Sequence, residues 1–172
     1  MHYLTLFLIA ALLTLTPACE KEPLDTLDEL VPATQEGANT LGCLIDGEVF
    51  YNRGGSLSTQ DIIGRIATIP YERIKVIGKD LTGSLDIVVS IKIPSPFEGE
   101  HIVSEAYIAY SEGLGSSKVD FVVDTNAKYS VIVSNYDAQN NIISGFFNFS
   151  VINPFTQDRK VITDGRFDVR YF

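Results

Sequence analysis

The sequence predicts an all-β protein, because apolar and polar residues alternate along most of it and turn-forming residues recur at short intervals. From Leu85 to Ile93, apolar residues occupy all five odd positions, a period of two that is typical of a half-buried strand. No stretch between residues 40 and 172 sustains the apolar i, i+3, i+4, i+7 spacing of an amphipathic helix. This pattern predicts about ten strands, arranged as an antiparallel β-sandwich or as a partly closed, lipocalin-like barrel.

Residues 1–18 have the features of a secretory signal peptide. The run LTLFLIAALLTL at positions 4–15 is 12 residues long and apolar apart from two threonines. A transmembrane helix needs roughly 20 residues, so this run fits the hydrophobic region of a signal peptide instead. The sequence TPAC that follows it resembles the lipobox of bacterial lipoproteins, which implies cleavage before Cys19 and acylation of its thiol. The alternative is an ordinary secretory signal that is cut near Ala18 and leaves an incidental thiol at Cys19.

Residues 19–38 are predicted to be the lipidated cysteine and a short acidic tether. The segment EKEPLDTLDELVPATQE, residues 20–36, is rich in carboxylates, contains two prolines and shows only weak apolar spacing. Its first three residues resemble the acidic, lysine-containing signals that export some Bacteroidota lipoproteins to the cell surface. Asp25-Thr26-Leu27 also fits the O-glycosylation pattern of that phylum, which implies a sugar on Thr26.

Residues 39–172 are predicted to form a single β domain that opens with a hairpin. Two apolar segments, 41–45 and 49–51, flank Asp46-Gly47, and Asp-Gly is a strong signal for a two-residue hairpin turn. Later strands are predicted where apolar residues again alternate with polar ones, at 129–134, 147–151 and 167–171. Turn-forming residues mark the further turns of the domain, at Pro70, 79–80, 94–96, 113–115, 124–126, 137–141 and 153–154.

The two ends of this domain carry motifs that resemble a family of small Bacteroidota lipoproteins. The opening, from Pro32 to Cys43, reads PATQEGANTLGC and matches a PATQxGANTxGC pattern. The closing part reads GFFNF from Gly145 and ITDGRFDVRY from Ile162, matching GxFxF and ITDGRFDVxY. We identify this family as domain of unknown function 6252; the resemblance implies a lipoprotein but carries no activity. The motif residues also suit structural roles, with glycines in turns and bulges and aromatic residues in the core.

The charge balance is acidic, since 13 Lys and Arg stand against 22 Asp and Glu and give a formal net charge of −9. Such a surface repels nucleic-acid phosphates and anionic lipid headgroups. We therefore expect no nucleic-acid partner and no polybasic membrane attachment. The expected membrane contact is the lipid on Cys19.

No catalytic or metal-binding pattern stands out in the sequence. A hydrolase of the Ser-His-Asp kind would need His101 as its base, but no Gly-x-Ser-x-Gly elbow accompanies it, so a surface position is expected for this histidine. Zinc-type and EF-hand spacings are absent from the sequence, and the nearest approach to a calcium loop is Asp120 with Asp124, or the 137–141 turn. The sequence therefore predicts neither a metal site nor a cofactor.

Cys43 and the tyrosines are the remaining residues of interest. Cys43 lies on the apolar face of the first strand, so we expect it to pack as a small hydrophobe and not to act as a nucleophile. The chain has eight tyrosines and no tryptophan. Tyrosines at strand ends commonly cover the rim of a core with the hydroxyl in water, or form a binding surface. The tyrosines near predicted turns or strand ends form a candidate binding rim: Tyr51, Tyr71, Tyr107, Tyr110 and Tyr136.

These observations favour a non-catalytic, lipid-anchored β module of the cell envelope, expected on the outer membrane and facing either the periplasm or the cell surface. Its expected partner is an envelope protein, a glycan or a small apolar ligand, bound by loops at one end of the sheets. The alternative is a lipocalin-like carrier that holds a small apolar ligand between its sheets. A hydrolase that uses His101 is the third hypothesis. The sequence leaves the oligomeric state open.

Overall fold

The computed structural model describes residues 29–53, 62–67, 73–80, 84–92, 100–103 and 106–172, and these residues form an all-β fold. The strands are β1 (Thr40–Ile45), β2 (Glu48–Arg53), β3 (Ile62–Ala67), β4 (Arg73–Lys79), β5 (Leu85–Lys92), β6 (His101–Ile102), β7 (Ala106–Glu112), β8 (Val119–Val123), β9 (Ser130–Asp137), β10 (Ile142–Ile152) and β11 (Arg159–Arg170). A single 3₁₀ turn, Gly115–Ser117, lies between β7 and β8 in the described part of the chain.

All strand pairs are antiparallel, and the sheet is nearly closed into a barrel. The strand order is β2-β1-β11-β10-β8-β7-β5-β4-β3, and β9 pairs with β10 on one side and β6 on the other. The two ends of this order curl toward each other, since β2 contacts β4 and β3 contacts β11. The predicted all-β antiparallel class is confirmed, with eleven strands in the described part of the chain where about ten were expected.

The interior is filled by the side chains that the alternation places inward. In β5 the odd positions Ile87, Val89 and Ile91 are fully buried, as predicted. Phe147 of β10 stacks on Phe167 of β11, with 6.4 Å between the ring centroids. The other fully buried large side chains are Leu41, Ile74, Val76, Tyr110, Val131, Ile143, Phe149 and Ile162.

The first hairpin has the geometry that its Asp-Gly pair predicts. Asp46 (φ 52°) and Gly47 (φ 85°) are both left-handed, as the turn between β1 and β2 requires. The Asp46 carboxylate also accepts a hydrogen bond from the backbone N–H of Val161 (2.8 Å), and its backbone N–H donates to the Val161 carbonyl (2.9 Å). The turn is therefore held against β11.

Two glycines of the closing motifs lie where the aromatic core approaches the backbone. A Cβ at Gly145 would lie 2.7 Å from the Phe167 ring, and a Cβ at Gly165 would collide with the Phe147 ring. Since Gly145 pairs with Phe167 and Gly165 with Phe147, each glycine makes room for the ring on the neighbouring strand. These motif residues thus have the structural role that the sequence suggested.

Residues 29–38, which the sequence assigned to the tether, pack against the domain; we call this segment the strap. Leu30 and Val31 are buried, and Val31 covers Gly42 on the outer face of β1, where an added Cβ would lie 3.0 Å from it. Asn39 (φ 55°) then turns the chain into β1. The packed region therefore includes residues 29–38, which lie before the boundary at residue 39 that the sequence suggested.

One buried carboxylate, that of Asp168 in β11, accepts four of the hydrogen bonds that hold the strap, and this residue is only 1% exposed. The alternation predicted that Asp168 would face solvent. Its oxygens instead accept five hydrogen bonds, from Thr34 Oγ1 (2.6 Å), Glu36 N (3.0 Å), Gly37 N (2.9 Å), Ala38 N (3.0 Å) and Ser144 Oγ (2.7 Å). Burial by itself would raise the pKa of Asp168, but these hydrogen bonds outweigh it and the pKa is lowered. Four of the five donors belong to the opening motif, so the two end motifs meet at this carboxylate.

Candidate functional site

A cleft opens on the barrel where β7 and β8 separate. The two strands pair only from Tyr110 with Phe121 to Glu112 with Val119. Beyond that point β8 turns to β10, and Val122 and Val123 pair with Ile152 and Val151. The gap left beside the first half of β7 forms an open cleft of about 600 Å³, which we call the β7–β8 cleft. Its volume lies in the range of small-molecule sites.

The β7–β8 cleft has an apolar wall that is exposed to solvent. Tyr107, Val122 and Tyr129 line it and are 59%, 53% and 43% exposed. Ile108 and Phe121 lie at its base and belong to the core. Exposed rings beside a concave surface can stack on a flat or apolar ligand face, which isolated surface tyrosines cannot do as efficiently.

One end of the β7–β8 cleft is polar. Asp86, Ser111 and Asp120 stand in one row across β5, β7 and β8, and Lys118 forms an ion pair with Asp86 Oδ2. The second carboxylate oxygen, Asp86 Oδ1, is buried and has no hydrogen-bond partner. A buried acceptor without a partner costs about 1–3 kcal/mol, so this oxygen is an energetically unfavourable feature of the polar end of the cleft.

A second, polar depression of about 430 Å³ lies at the end of the barrel, near the β1–β2 turn. The Tyr110 hydroxyl donates a hydrogen bond to Glu112, and burial followed by this contact raises the pKa of Tyr110. The hydrogen bond from Lys160 Nζ to Asp46 (3.1 Å) raises the pKa of Lys160 in turn. Both groups therefore keep their protons well above neutral pH, and neither is poised for acid–base chemistry.

Cys43 packs in the core, as predicted. It is completely buried and unpaired, and burial raises the pKa of its thiol to about 12. A thiol in this state has almost no thiolate at neutral pH, which removes the nucleophile that cysteine chemistry needs.

The five tyrosines of the candidate rim do not lie together. Tyr107 lines the β7–β8 cleft, while Tyr51 is exposed on β2, a strand at the other end of the sheet order. Tyr136 is half-buried and stacks on Tyr171 with 5.9 Å between centroids. Tyr110, which the sequence placed on the rim, is 1% exposed and points into the core, because it is an inward position of β7. Tyr71 lies outside the described residues.

Sequence reasoning missed Tyr129. The alternation with Val131 and Val133 predicted an inward-facing ring, but β9 begins only at Ser130, and Tyr129 precedes it on the surface. Its position after the 124–127 turn is the signal that could have indicated an exposed ring.

Two carboxylates of the suggested calcium loops, those of Asp124 and Asp137, already have protein partners. Asp124 accepts a hydrogen bond from Asn126 N (2.9 Å) and pairs with Arg159, while Asp137 accepts one from Asn140 N (3.0 Å). Within the described ranges, no group of three or more His, Cys, Asp or Glu residues is placed to hold a metal ion. His101 lies in β6, whose backbone pairs with β9.

No family model matches this chain, and no curated protein or solved structure is similar to it. The resemblance of the two end motifs to a lipoprotein family thus stays a prediction. Cys19 and Thr26 lie outside the described residues. Among the residues that are described, no helix has the length and apolar character needed to cross a bilayer.

Proposed function

We propose that this protein is a lipid-anchored module of the cell envelope that binds a ligand and does not catalyse a reaction. The observation that carries the proposal is the β7–β8 cleft, about 600 Å³ in volume and walled by exposed Tyr107, Val122 and Tyr129. Exposed apolar side chains that converge on one concavity are unfavourable in water unless something binds there.

The position of the strap agrees with an anchor on Cys19. The strap lies on the outer face of β1, and Leu41 of β1 reaches toward Gly78 of β4 across the core. The cleft lies on β5, β7 and β8, which continue the sheet from β4. A chain that is anchored through the strap would therefore hold the cleft on the side turned away from its attachment.

The lipocalin-like alternative places the ligand inside the barrel, and the packing of the interior does not favour it. Phe147, Phe149 and Phe167 fill the space between β10, β11 and the opposite strands and are at most 2% exposed. A ligand of several hundred Å³ would have to displace such rings, at a cost of several kcal/mol. The surface cleft needs no such rearrangement.

A thermal-shift screen of the full chain in detergent tests the binding proposal. The probes are neutral oligosaccharides, palmitate, haemin and Ca²⁺, each compared on wild type, Tyr107→Ala and Tyr51→Ala. A ligand at 100 times its Kd stabilises by about 2.7 kcal/mol, or roughly 5–10 °C here. We expect a shift that Tyr107→Ala abolishes and Tyr51→Ala, an exposed tyrosine away from the cleft, retains. If every probe shifts the Tm equally in all three proteins, or if no probe shifts it, the β7–β8 cleft does not bind these ligands and the proposal is wrong.

The anchor is tested separately. Metabolic labelling with a radiolabelled fatty acid is expected to mark the wild-type chain and not Cys19→Ala, because the thiol is the expected acceptor. Cys43→Ala serves as the matched cysteine control and should label like wild type, since that thiol is buried. Equal labelling of Cys19→Ala and wild type would remove the lipid anchor from the proposal.

A further inference from the structure

We infer that the β7–β8 cleft takes a neutral saccharide, with Asp86 as the acceptor for its hydroxyl groups and Lys118 as a side chain that the ligand displaces. This inference rests on the proposed binding function and specifies the ligand class of the same cleft. It starts from the buried, unpartnered Oδ1 of Asp86 and from the tyrosines further along the cleft.

Only one of the two carboxylate oxygens of Asp86 has a partner within the protein. Its Oδ2 is paired with Lys118 Nζ, while Oδ1 has no partner and its side chain is 15% exposed. Lys118 is more exposed, at 36%, and carries a long flexible chain on the rim. Ion pairs of this exposure contribute little to stability, so a ligand that donates two hydrogen bonds can replace the lysine. The carboxylate then gains a partner for the oxygen that had none.

The apolar wall lies at the right distance from this acceptor for a ligand longer than one ring. Asp86 pairs with Ser111, and Tyr107 is four residues before Ser111 on β7, so both face the cleft about 13 Å apart along the strand. A pyranose ring has one face of C–H groups and a rim of hydroxyl donors. A di- or trisaccharide can thus stack on Tyr107 and donate to Asp86 at once.

The chemistry of the cleft argues against anionic ligands and against wholly apolar ones. Two carboxylates, Asp86 and Asp120, stand against the single ammonium of Lys118 at its polar end, and the chain carries a net charge of −9, so the local charge stays negative and disfavours fatty acids and acidic glycans. A wholly apolar ligand leaves Asp86 Oδ1 without a hydrogen-bond partner. A neutral polyol with an apolar face can donate hydrogen bonds to Asp86 at the polar end and stack on Tyr107 at the apolar wall.

Isothermal titration of the full chain, in a detergent without a sugar head group, tests this inference. The probes are cellotriose, maltotriose, mannotriose and chitotriose, with palmitate and dodecylamine for comparison. We expect at least one neutral trisaccharide to bind, and Asp86→Asn to weaken it roughly ten- to hundredfold because a charge-assisted hydrogen bond is lost. Lys118→Met is expected to tighten the same binding several-fold, since no ion pair then has to be broken.

The opposite signs of these two effects are the decisive result, and circular dichroism checks that both variants fold. If Lys118→Met weakens binding as Asp86→Asn does, the lysine contacts the ligand and the displacement is wrong. If palmitate or dodecylamine binds in a Tyr107-dependent way while no trisaccharide does, the ligand class is wrong and the cleft proposal stands. If no probe binds in a Tyr107-dependent way, both proposals fail.

Discussion

Asp168→Asn is the substitution that most directly tests how the two ends of the chain are joined. The change is isosteric, so it removes charge and one acceptor without opening a cavity. If the amide nitrogen takes the Oδ2 position, it faces the backbone N–H groups of Glu36 and Ala38; at the Oδ1 position it faces only that of Gly37. The hydroxyls of Thr34 and Ser144 can rotate to accept from the new amide in either case. The Oδ1 orientation is therefore the less costly one.

The expected loss in stability is about 2–4 kcal/mol. One backbone N–H, that of Gly37, loses its acceptor, which costs about 1–3 kcal/mol, and the remaining hydrogen bonds lose the assistance of a full charge. The upper limit is the free energy that docks the strap, because a detached strap returns its N–H groups to water. Burial of Leu30 and Val31 contributes about 1.5–3 kcal/mol each to that docking. For a domain of this size the loss lowers the Tm by roughly 4–15 °C.

Two measurements on the full chain in detergent at pH 7 check this value. Urea unfolding followed by circular dichroism gives the free energy of unfolding of wild type, Asp168→Asn and the control Asp158→Asn, whose exposed carboxylate accepts from Thr156. Limited digestion with a Glu-specific protease reports the strap, since Glu36 is engaged through both its N–H and its carbonyl, the latter by Arg170 (3.1 Å). We expect cleavage after Glu36 to accelerate only in Asp168→Asn. A variant within 0.5 kcal/mol of wild type, with Glu36 still protected, would falsify the view that this carboxylate holds the strap.

Three further predictions concern the Asp168 carboxylate, Gly165 and Cys43. Because the folded-state pKa of Asp168 lies below its unfolded value, the carboxylate contributes its full stability above about pH 4 and loses it as pH falls through the folded pKa; the difference in stability between wild type and Asp168→Asn should therefore shrink as pH is lowered below about 4. Gly165→Ala should lower the free energy of unfolding, measured in urea, by about 1–3 kcal/mol, because its Cβ collides with the Phe147 ring. Gly115→Asn, at an open left-handed position, should change it little. Cys43 should resist iodoacetamide at pH 8 until the chain is unfolded, since burial raises its pKa to about 12; rapid alkylation of the native protein, located by peptide mass, would contradict its packing in the core.

Local patterns in the sequence were sufficient for the strands and the first turn. The alternation of β5 correctly predicted the inward positions Ile87, Val89 and Ile91, and Asp46-Gly47 correctly predicted a left-handed turn. Each of these features is determined by residues within a few positions of one another. Cys43 was equally predictable, because a small residue between two apolar inward positions has little choice but to pack.

Features that depend on distant partners were not predictable in the same way. Asp168 was expected to face solvent, and it is buried because a strap more than 130 residues earlier in the chain covers it. The strap was read as a tether because it is polar, and its anchorage uses backbone N–H groups, which leave no compositional signal. The β7–β8 cleft escaped prediction for a related reason. It exists because β8 changes partner from β7 to β10, and strand pairing is a property of the whole sheet.

If the chain is anchored through Cys19 as proposed, the strap would also limit how far the domain can stand from its point of attachment. If Cys19 is acylated as proposed, nine residues, 20–28, connect it to the docked strap, and an extended chain of that length spans at most ~30 Å. Release of the strap would extend the connection to residues 20–38 and the limit to ~65 Å. Because one carboxylate accepts four of the hydrogen bonds that fix the strap, Asp168 governs this reach as well as stability. The contact between the two end motifs would then hold the cleft at a limited height above the membrane, and neither motif would need to touch the ligand.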